Sequence, residues 1–467
     1  MNNQPARSAD VRLGFGRQFG YGLGEFAGQF FYGFWGGYLS VFYTDQVGLA
    51  PAIVSLIFVI ARVWDAINDP LFGSIADRMK PHKKFGRYRR WILMGAPILA
   101  VLSIFVWYVP NLDSNGVKIA YVTIIYILAG MAFTMVNVPY MSLQSTLTTD
   151  AKSRGDIANI KGAFTFVGSA FVNMFTMGFV TRLGGGDVNA RGYFLTGVVF
   201  TIMGLVLYFI CFFTTDERYV VERAAENVSF KDTMAYIFGN KAIVAIMFTL
   251  LLSMLATFGR LGVAVYYYIY CCGAFDKIGI LMVIPTVCTI IPTYLVPKLK
   301  VSRKTLIMIA LIGRAVALFA LSRIDYTNLT AIMICLAFVG VLNFETGMLA
   351  GLIAPAIDDG EVKKGIRMDG TAYSMINLFA KVASALGGAI GLAIMGVMGY
   401  VANAQQTPLA LTGINLVTNI LPAIYCLAAI IPLFMYRLTP QQIEENSRIL
   451  AERHAQEKAE KVQEAAE

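Results

Sequence analysis

Long apolar segments alternate with short polar loops along almost the whole chain. About twelve of these segments are long enough to cross a membrane, because a helix of roughly 20 mainly apolar residues spans the ~30 Å hydrocarbon layer. They are residues 18–44, 51–75, 91–110, 118–145, 157–181, 193–214, 240–272, 278–297, 304–323, 330–353, 370–400 and 411–436. The pattern predicts an all-α integral membrane protein with twelve spans.

A hydrophilic stretch, residues 215–239, divides the spans into two groups of six. We predict two six-helix halves, residues 1–214 and 240–437, and a polar tail at 438–467. Two halves around a central linker are the layout of a major-facilitator transporter, in which the substrate site lies near the midplane between the halves. The prediction depends on span count and charge, because we find no strong residue-level repeat between the halves.

Lys and Arg are concentrated in alternate loops. The loops rich in Lys and Arg lie at 78–90, 152–161, 298–304 and 363–367. Loops rich in Lys and Arg stay on the cytoplasmic side. We therefore predict a multi-pass protein of the cytoplasmic (inner) membrane, with both termini and the linker in the cytoplasm. The net charge of +9 then reflects topology and attraction to anionic lipids, so we expect no nucleic-acid partner.

Composition argues against a soluble enzyme. Hydrophobic residues make up 57% of the chain and charged residues only 14%, and there are two histidines, both in charged segments. The six cysteines lie in apolar runs without the spacing of a zinc site or a disulfide framework. We therefore expect no enzymatic activity, no structural metal and no cofactor apart from a coupling ion.

The densest set of polar residues within a span is on the second one. Asp65 and Asp69 are four residues apart and share a helix face, with Asn68 beside them and Arg62 three residues before Asp65. Two adjacent carboxylates repel each other, so Arg62 can neutralise one and a small cation or a proton the other. Pro70 frees a backbone carbonyl oxygen nearby. The group resembles an oxygen-rich cation site; the alternative is that the acids pair with arginines and lock two helices together.

The same region is similar to a known family. The run RVWDAINDPLFGSIADRMKPHKKFGRYRRWILMGAP, with GYGLGEFAGQFF and FYTDQVGL before it, strongly resembles the glycoside-pentoside-hexuronide:cation symporters, the group of the melibiose permease. NVPYMSL and DDGEVKKGIRMDGTAYS extend the resemblance over most of the chain. It implies the twelve-helix major-facilitator fold and cation-coupled symport of a sugar or glycoside by alternating access. We expect a monomer whose partners are a small glycoside and the bilayer.

The resemblance also implies roles for particular residues. By position, the cation site would consist of Asp65, Asn68, Asp69 and Thr134, which favours Na⁺, with H⁺ as an alternative. Lys381 would link this site to the substrate by competing for the carboxylates. The loop GSIADRMKPHKKFGR is similar to the major-facilitator loop whose acid and base pairs latch the cytoplasmic side. The residues predicted to couple or gate transport are Arg62, Glu25, Asp77, Arg78, Asp358 and Arg367.

The predicted sugar site departs from the melibiose pattern. Gln29 and Asn137 stand where that pattern has two acidic residues, so a melibiose-like specificity is not expected. The loss of two negative charges, together with the basic residues at membrane depth, favours an anionic sugar such as a uronide or a sulfonated hexose. Aromatic residues can pack against the apolar face of a pyranose ring. The residues predicted to bind substrate are Gln29, Asn137, Lys381, Tyr32, Phe133 and Arg260.

Several alternatives remain open in the sequence. Arg260 and Glu345 are single charges in apolar helices, and mutual pairing is the preferred interpretation, with substrate contact by Arg260 as the alternative. Glu25 is either a gating group or a member of a salt bridge. Residues 266–268, three tyrosines, are interpreted as an interfacial belt. The alternative function is a lysolipid or other amphiphile carrier, against which the amides of Gln29 and Asn137 argue.

Overall fold

The computed structural model describes residues 13–79, 82, 85–112, 114–148, 150–217, 237–365 and 369–464. Within these ranges the chain is helical, and the β pairing is limited to an isolated bridge between His82 and Gly86. Eleven of the described helices are long and apolar enough to cross a membrane. Most of the predicted linker, residues 218–236, lies outside the described residues.

The α-helices are numbered here in chain order. They are α1 (Phe15–Gly28), α2 (Phe34–Val41), α3 (Pro51–Arg78), α4 (Arg89–Val106), α5 (Asn115–Leu147), α6 (Ala151–Leu183), α7 (Ala190–Thr214), α8 (Lys241–Tyr266), α9 (Ile278–Leu295), α10 (Arg303–Leu321), α11 (Leu329–Val341), α12 (Glu345–Lys364), α13 (Asp369–Val397), α14 (Pro408–Asn415), α15 (Leu421–Ala428), α16 (Ile430–Leu433) and α17 (Pro440–Glu464). π-Helical turns at Gln29–Gly33, Phe42–Gln46, Tyr267–Cys271 and Leu416–Ile420 continue several of them.

The first predicted span is helical but is not among the eleven. It consists of α1, the π turn Gln29–Gly33, α2 and the π turn Phe42–Gln46. Its Gly, Tyr and Gln residues make it less apolar than the other spans. π Turns inside helices often mark functional positions. The first of these two π turns begins at Gln29, a predicted substrate residue.

The described chain forms two compact units, each assembled from three separate stretches of sequence. The first unit contains the described residues among 1–224, 260–287 and 388–418, and the second contains those among 225–259, 288–387 and 419–467. The core of the first is rich in stacked aromatic rings, for example Phe34 on Trp107 with ring centroids 4.0 Å apart. The core of the second is mainly aliphatic, around Ile246, Leu311 and Leu349. The division at residues 215–239 stays a prediction.

Hydrogen bonds around one buried carboxylate explain why the first unit draws on distant parts of the chain. Asp45, after α2, accepts hydrogen bonds from the hydroxyls of Tyr270 and Tyr400, both at 2.6 Å, and of Thr44 at 2.5 Å. The hydroxyl of Tyr266 lies 2.9 Å from that of Thr44. This Asp45 cluster, the five residues just named, joins three segments. Within the first unit, it lies near the start of α3, whereas the Lys- and Arg-rich residues 78–90 follow the other end of this helix.

The other end of the first unit, here called the basic end, carries the Lys- and Arg-rich loop between α3 and α4. There the carboxylate of Glu217 accepts the backbone N–H groups of Arg87, Tyr88 and Arg89 at 2.6–2.7 Å. These are amides that the start of α4 leaves without intrahelical partners. Glu217 therefore fixes the loop between α3 and α4 to the residues that follow α7.

Candidate functional site

The acids of the second span lie on α3, where the helical repeat places them on one face. The guanidinium of Arg62 is 3.2 Å from Asp65 Oδ2, and the two side chains are 23% and 22% exposed. The pair is therefore partly accessible. Pro70 lies inside α3 without ending it, one residue beyond Asp69.

The neighbouring helix α5 completes this group. Thr134 is buried and its hydroxyl donates to Asp69 Oδ1 at 2.6 Å. One turn earlier, Gly130 leaves space for the other acid, since a Cβ at this position would lie 3.2 Å from Asp65 Oδ1. Thr134 and Gly130 share a face of α5, four residues apart. The structure therefore brings the two acids and the predicted threonine together and adds Gly130, which sequence analysis missed.

Asn68 belongs to the same helix face and is buried. Its Nδ2 atom has no hydrogen-bond partner among the described residues. Within the described ranges there is no cluster of three or more His, Cys, Asp or Glu side chains that could hold a metal ion. Any ion bound here would instead have mixed oxygen ligands, namely two carboxylates, an amide and a hydroxyl. Such ligands suit a hard monovalent cation better than a transition metal.

An aromatic surface adjoins the acids. The ring of Tyr32 stacks on that of Phe133, with centroids 5.6 Å apart and an angle of 21° between the planes. The guanidinium of Arg62 lies 5.3 Å from the centroid of Tyr32. Arg62 therefore contacts both Asp65 and the aromatic pair, and Phe133 directly precedes Thr134. Asn137, one turn beyond Phe133 on α5, is half-buried.

Polar residues of the first span face α6. Gln29 accepts a hydrogen bond from the hydroxyl of Ser169 at 3.0 Å. Glu25, one turn earlier, lies 3.7 Å from the amine of Lys161, and both side chains are about one-fifth exposed. Of the two interpretations of Glu25, the structure shows the salt bridge, with Lys161 as the partner. This ion pair still borders accessible space, one turn from Gln29.

Two predictions about charged and aromatic residues are wrong. Glu345 does not pair with Arg260; its Oε1 lies 2.5 Å from Arg314, a residue that sequence analysis overlooked. Arg260 instead donates to the hydroxyl of Tyr268 at 3.0 Å. The tyrosines at 266–268 are fully buried and not an interfacial belt. Which face of a helix turns inward depends on tertiary packing, and single residues do not reveal it.

The remaining predicted residues lie in the second unit or have side chains outside the described part of the structure. Lys381 lies on α13 in the second unit with an exposed side chain, and Asp358 lies on α12, half-buried. The side chains of Asp77 and Arg78, and the whole of Arg367, lie outside the described residues. Their coupling and gating roles stay predictions. The Asp45 cluster was missed, although its motif FYTDQVGL is one of the segments that carry the family resemblance.

Comparison with known proteins decides the family. The profile of the family described as MFS/sugar transport protein matches residues 20–440. The chain belongs to this family. It is 30% identical over 441 residues to the uncharacterized symporter YnaJ of Bacillus subtilis (strain 168), a match that covers 93% of this chain and 94% of that protein. Members of the family are membrane transporters, so this protein is a secondary active transporter and not an enzyme.

Two further relatives of this MFS/sugar transporter have more specific names. It is 27% identical over 451 residues to the isoprimeverose transporter of Lactiplantibacillus pentosus, covering 95% of this chain and 92% of that protein. It is also 27% identical over 433 residues to the glucuronide carrier protein homolog of Escherichia coli (strain K12), covering 91% and 93%. The predicted resemblance is thereby confirmed.

A solved structure supports the fold independently of close sequence similarity. The chain matches the crystal structure of a D-xylose-proton symporter with a TM-score of 0.63 at 16% identity, over 92% of this chain and 98% of that one. At this identity the match speaks for the fold alone. The major-facilitator fold predicted for the MFS/sugar transporter is confirmed.

Proposed function

We propose that the protein is a symporter that couples the movement of a sugar or glycoside to that of Na⁺ or H⁺. It works as a monomer in the cytoplasmic membrane, with the basic end and both termini facing the cytoplasm. The observation that carries this proposal is the meeting of Asp65, Asp69 and Thr134 at a partly exposed place on α3 and α5, with Arg62 3.2 Å from Asp65.

Charge arithmetic supports a monovalent cation. Asp65 and Asp69 together carry two negative charges and Arg62 one positive charge, so the trio carries one net negative charge. A single Na⁺ or a proton neutralises it. Because charges at membrane depth are costly, ~2.5–3.5 kcal/mol each on insertion scales, this neutralisation lowers the free energy of the loaded site relative to the empty one.

Two of the proposed Na⁺ ligands are in direct contact. The carboxylate of Asp69 and the hydroxyl of Thr134 are already 2.6 Å apart, and the hydroxyl can rotate to turn a lone pair toward the ion. The buried amide of Asn68 and the carboxylate of Asp65 supply further oxygens. A proton needs only one of the carboxylates, so H⁺ coupling would depend much less on Thr134 and Asn68.

Arg62 offers a route for coupling the ion to the sugar. It contacts Asp65 on one side and the Tyr32 ring on the other, and Tyr32 stacks on Phe133. A cation bound at Asp65 weakens the attraction between this carboxylate and the guanidinium of Arg62, and so changes the electrostatic potential at the aromatic pair. Where a pyranose ring packs on Tyr32, ion and sugar affect each other's affinity, and this effect must be reciprocal.

The substrate is a sugar or glycoside held near Gln29, Asn137 and the Tyr32–Phe133 pair. The names of the isoprimeverose transporter and of the glucuronide carrier homolog, two relatives of the chain, support this class. The amides of Gln29 and Asn137 provide donors and acceptors for sugar hydroxyls. Their polar character disfavours the lysolipid alternative, which requires an apolar groove.

Reconstituted vesicles test the proposal. Purified protein is assayed for uptake of labelled glycosides driven by a Na⁺ or H⁺ gradient, with lysolipid transfer measured in parallel. We expect Asp69→Asn and Asp65→Cys to abolish gradient-driven accumulation while leaving glycoside binding or exchange measurable. The reason is that each change removes the negative charge that the driving cation neutralises.

A matched control is Asp187→Asn, since Asp187 is an exposed acid in the loop before α7. This variant should accumulate the glycoside as the wild type does. Full accumulation by Asp69→Asn and Asp65→Cys would contradict the cation site. Transfer of lysolipid without any glycoside uptake would contradict the substrate class.

A further inference from the structure

A polar side chain recurs at every fourth position along part of α6. The stripe consists of Lys161, Thr165, Ser169 and Asn173. Residues four apart share a helix face, and this face follows the first span. Lys161 lies 3.7 Å from Glu25, and one turns further on the hydroxyl of Ser169 donates to Gln29 at 3.0 Å. Ser169 is therefore the member of the stripe that meets a residue of the predicted sugar site.

The hydrogen bond from Ser169 uses the acceptor end of the Gln29 amide. A glutamine side chain offers one carbonyl oxygen as an acceptor and one NH₂ group with two donors. Oε1 accepts from Ser169, and among the described residues this is the only hydrogen bond that the side chain of Gln29 makes. The carbonyl oxygen is therefore turned toward α6, and both N–H donors of Nε2 remain for a ligand.

Two glycines make room for the amide in this orientation. A Cβ at Gly168, which directly precedes Ser169, would lie 2.7 Å from Cγ of Gln29. A Cβ at Gly33 would lie 3.0 Å from Oε1 of the same residue. Added atoms at such distances force their neighbours to move. The close approach of α6 to Gln29 thus depends on Gly168, and Gly33 leaves space for the carbonyl oxygen within the first span.

The second amide of the predicted sugar site differs from the first. Asn137 on α5 is half-buried, as Gln29 is. The side chain of Asn137 makes no hydrogen bond with the described residues, so it can present either its donors or its acceptor to a sugar. Gln29, in contrast, is oriented before any sugar arrives. Of the two amides, Gln29 is the one with a defined polarity.

We propose that Ser169 positions Gln29 so that the amide meets a hydroxyl oxygen of the sugar with its N–H donors. This inference rests on the proposed sugar transport. A side chain that is ordered before binding loses less rotamer freedom when the ligand arrives, which raises affinity. The orientation also sets specificity, because a sugar atom at Nε2 must accept a hydrogen bond. Ser169 is thus a positioning residue that acts through Gln29.

Single variants test the positioning role. Thermal melting and uptake are first measured with the methyl glycosides of glucose, galactose, xylose and glucuronic acid, and a glycoside that binds is used afterwards. We expect Ser169→Ala to weaken its binding roughly three- to tenfold, as for the loss of one neutral hydrogen bond. The KM of uptake should rise with little change in the maximal rate. Ser169→Thr keeps the hydroxyl and should retain most of the affinity.

A double variant shows whether Ser169 acts through Gln29. Gln29→Ala alone should weaken binding, and adding Ser169→Ala should then cost nothing further, since effects of coupled residues do not add. The matched control is Ser145→Ala. Ser145 is a half-buried serine on α5 whose hydroxyl donates to the carbonyl of Ser142 in the same helix. This control should bind the glycoside as the wild type does, and melting temperatures without ligand report on folding.

Deoxy and fluoro analogues of the bound glycoside test the polarity of the amide. The hydroxyl that Gln29 contacts is the one whose removal weakens binding to the wild type but not to Gln29→Ala. Fluorine at that position can accept a hydrogen bond but cannot donate one, and hydrogen can do neither. The wild type should therefore bind the fluoro analogue more tightly than the deoxy analogue. Gln29→Glu, whose carboxylate has no donor, should lose this preference.

The outcomes separate this inference from the proposed function. Binding by Ser169→Ala that equals binding by Ser145→Ala overturns the role of Ser169 and leaves sugar symport intact. So does an equal loss from Ser169→Ala in the presence and absence of Gln29, or a wild type that binds the fluoro analogue no better than the deoxy analogue. The last measurement needs no variant to fold. Failure of all four glycosides to bind or move, under either gradient, contradicts the proposed function itself.

Discussion

Two pairs of opposite charges within the predicted spans have the same chemistry but different surroundings. Arg314 and Glu345 are 2.5 Å apart and 3% and 0% exposed. Glu345 also accepts from Ser253 at 2.6 Å, and Arg314 donates to Asn343 and Thr257, both at 2.7 Å. This pair, on α10 and α12, is sealed within the second unit.

The pair of Arg62 and Asp65 is longer, at 3.2 Å, and more than a fifth of each side chain is exposed. A second acid, Asp69, stands one turn away and accepts a hydrogen bond from the hydroxyl of Thr134 at 2.6 Å. The comparison teaches that an intramembrane ion pair does not by itself indicate transport. Accessibility and an excess of acid over base distinguish a site for a mobile ion from a structural contact.

Breaking the sealed pair should have the largest effect. Arg314→Met leaves the Glu345 carboxylate buried without its cation, and we expect a loss of ~3–5 kcal/mol in the free energy of unfolding. The double variant Arg314→Met, Glu345→Met removes both charges and should recover most of this loss. Denaturation of the purified protein in detergent measures both.

Arg62→Met provides the control on the accessible side. Because the Arg62–Asp65 pair is partly accessible, the remaining carboxylate can be solvated in part, and this variant should lower the free energy of unfolding by less than Arg314→Met does. A double variant at Arg314 and Glu345 that is no more stable than Arg314→Met would show that the sealed pair is not the source of the loss.

Removing the hydroxyl of Thr134 should have a smaller effect, on ion binding rather than on folding. Thr134→Val keeps the shape of the side chain but deletes the 2.6 Å hydrogen bond to Asp69 and one ion ligand. Because the deleted hydroxyl is one of the proposed oxygen ligands of the ion, we expect a weaker Na⁺ affinity, by roughly tenfold. Titrating glycoside uptake with Na⁺ measures it, with Thr134→Ser as the control. An unchanged Na⁺ dependence would favour proton coupling.

The periodicity of apolar and polar residues predicts much of the fold and part of the site. The helical repeat alone places Asp65, Asn68 and Asp69 on one face of α3, and apolar segment length predicts eleven helices that the structure contains. Contacts between segments that are distant in sequence cannot be predicted from this local pattern. Asp45 and Tyr400 are 355 residues apart, and only the folded chain brings them together.

The wrong pairing of Arg260 with Glu345 has the same cause. Both residues are isolated charges in apolar helices, so pairing by elimination was reasonable, but Arg314 lies within a predicted span and faces Glu345. The sequence contains this third charge without showing which way it points. Thr134 was assigned through family resemblance, because no spacing rule connects α5 to α3.

Narrowing the space beside Asp65 should have the smallest effect of these changes. It tests most directly whether the Arg62–Asp65 pair, unlike the Arg314–Glu345 pair, lies beside a mobile ion. Gly130→Ala places a methyl group 3.2 Å from Asp65 Oδ1, a tight contact that the carboxylate relieves by a small movement. We expect a severalfold change in Na⁺ affinity and a relative gain for the smaller Li⁺, with little change in melting temperature. The control Gly178→Ala, on α6, meets no atom within 4 Å and should behave as the wild type. Since Gly130 has no charge, an altered ratio of Na⁺ to Li⁺ would indicate that an ion lies beside Asp65, whereas an unchanged ratio would place the coupling ion elsewhere.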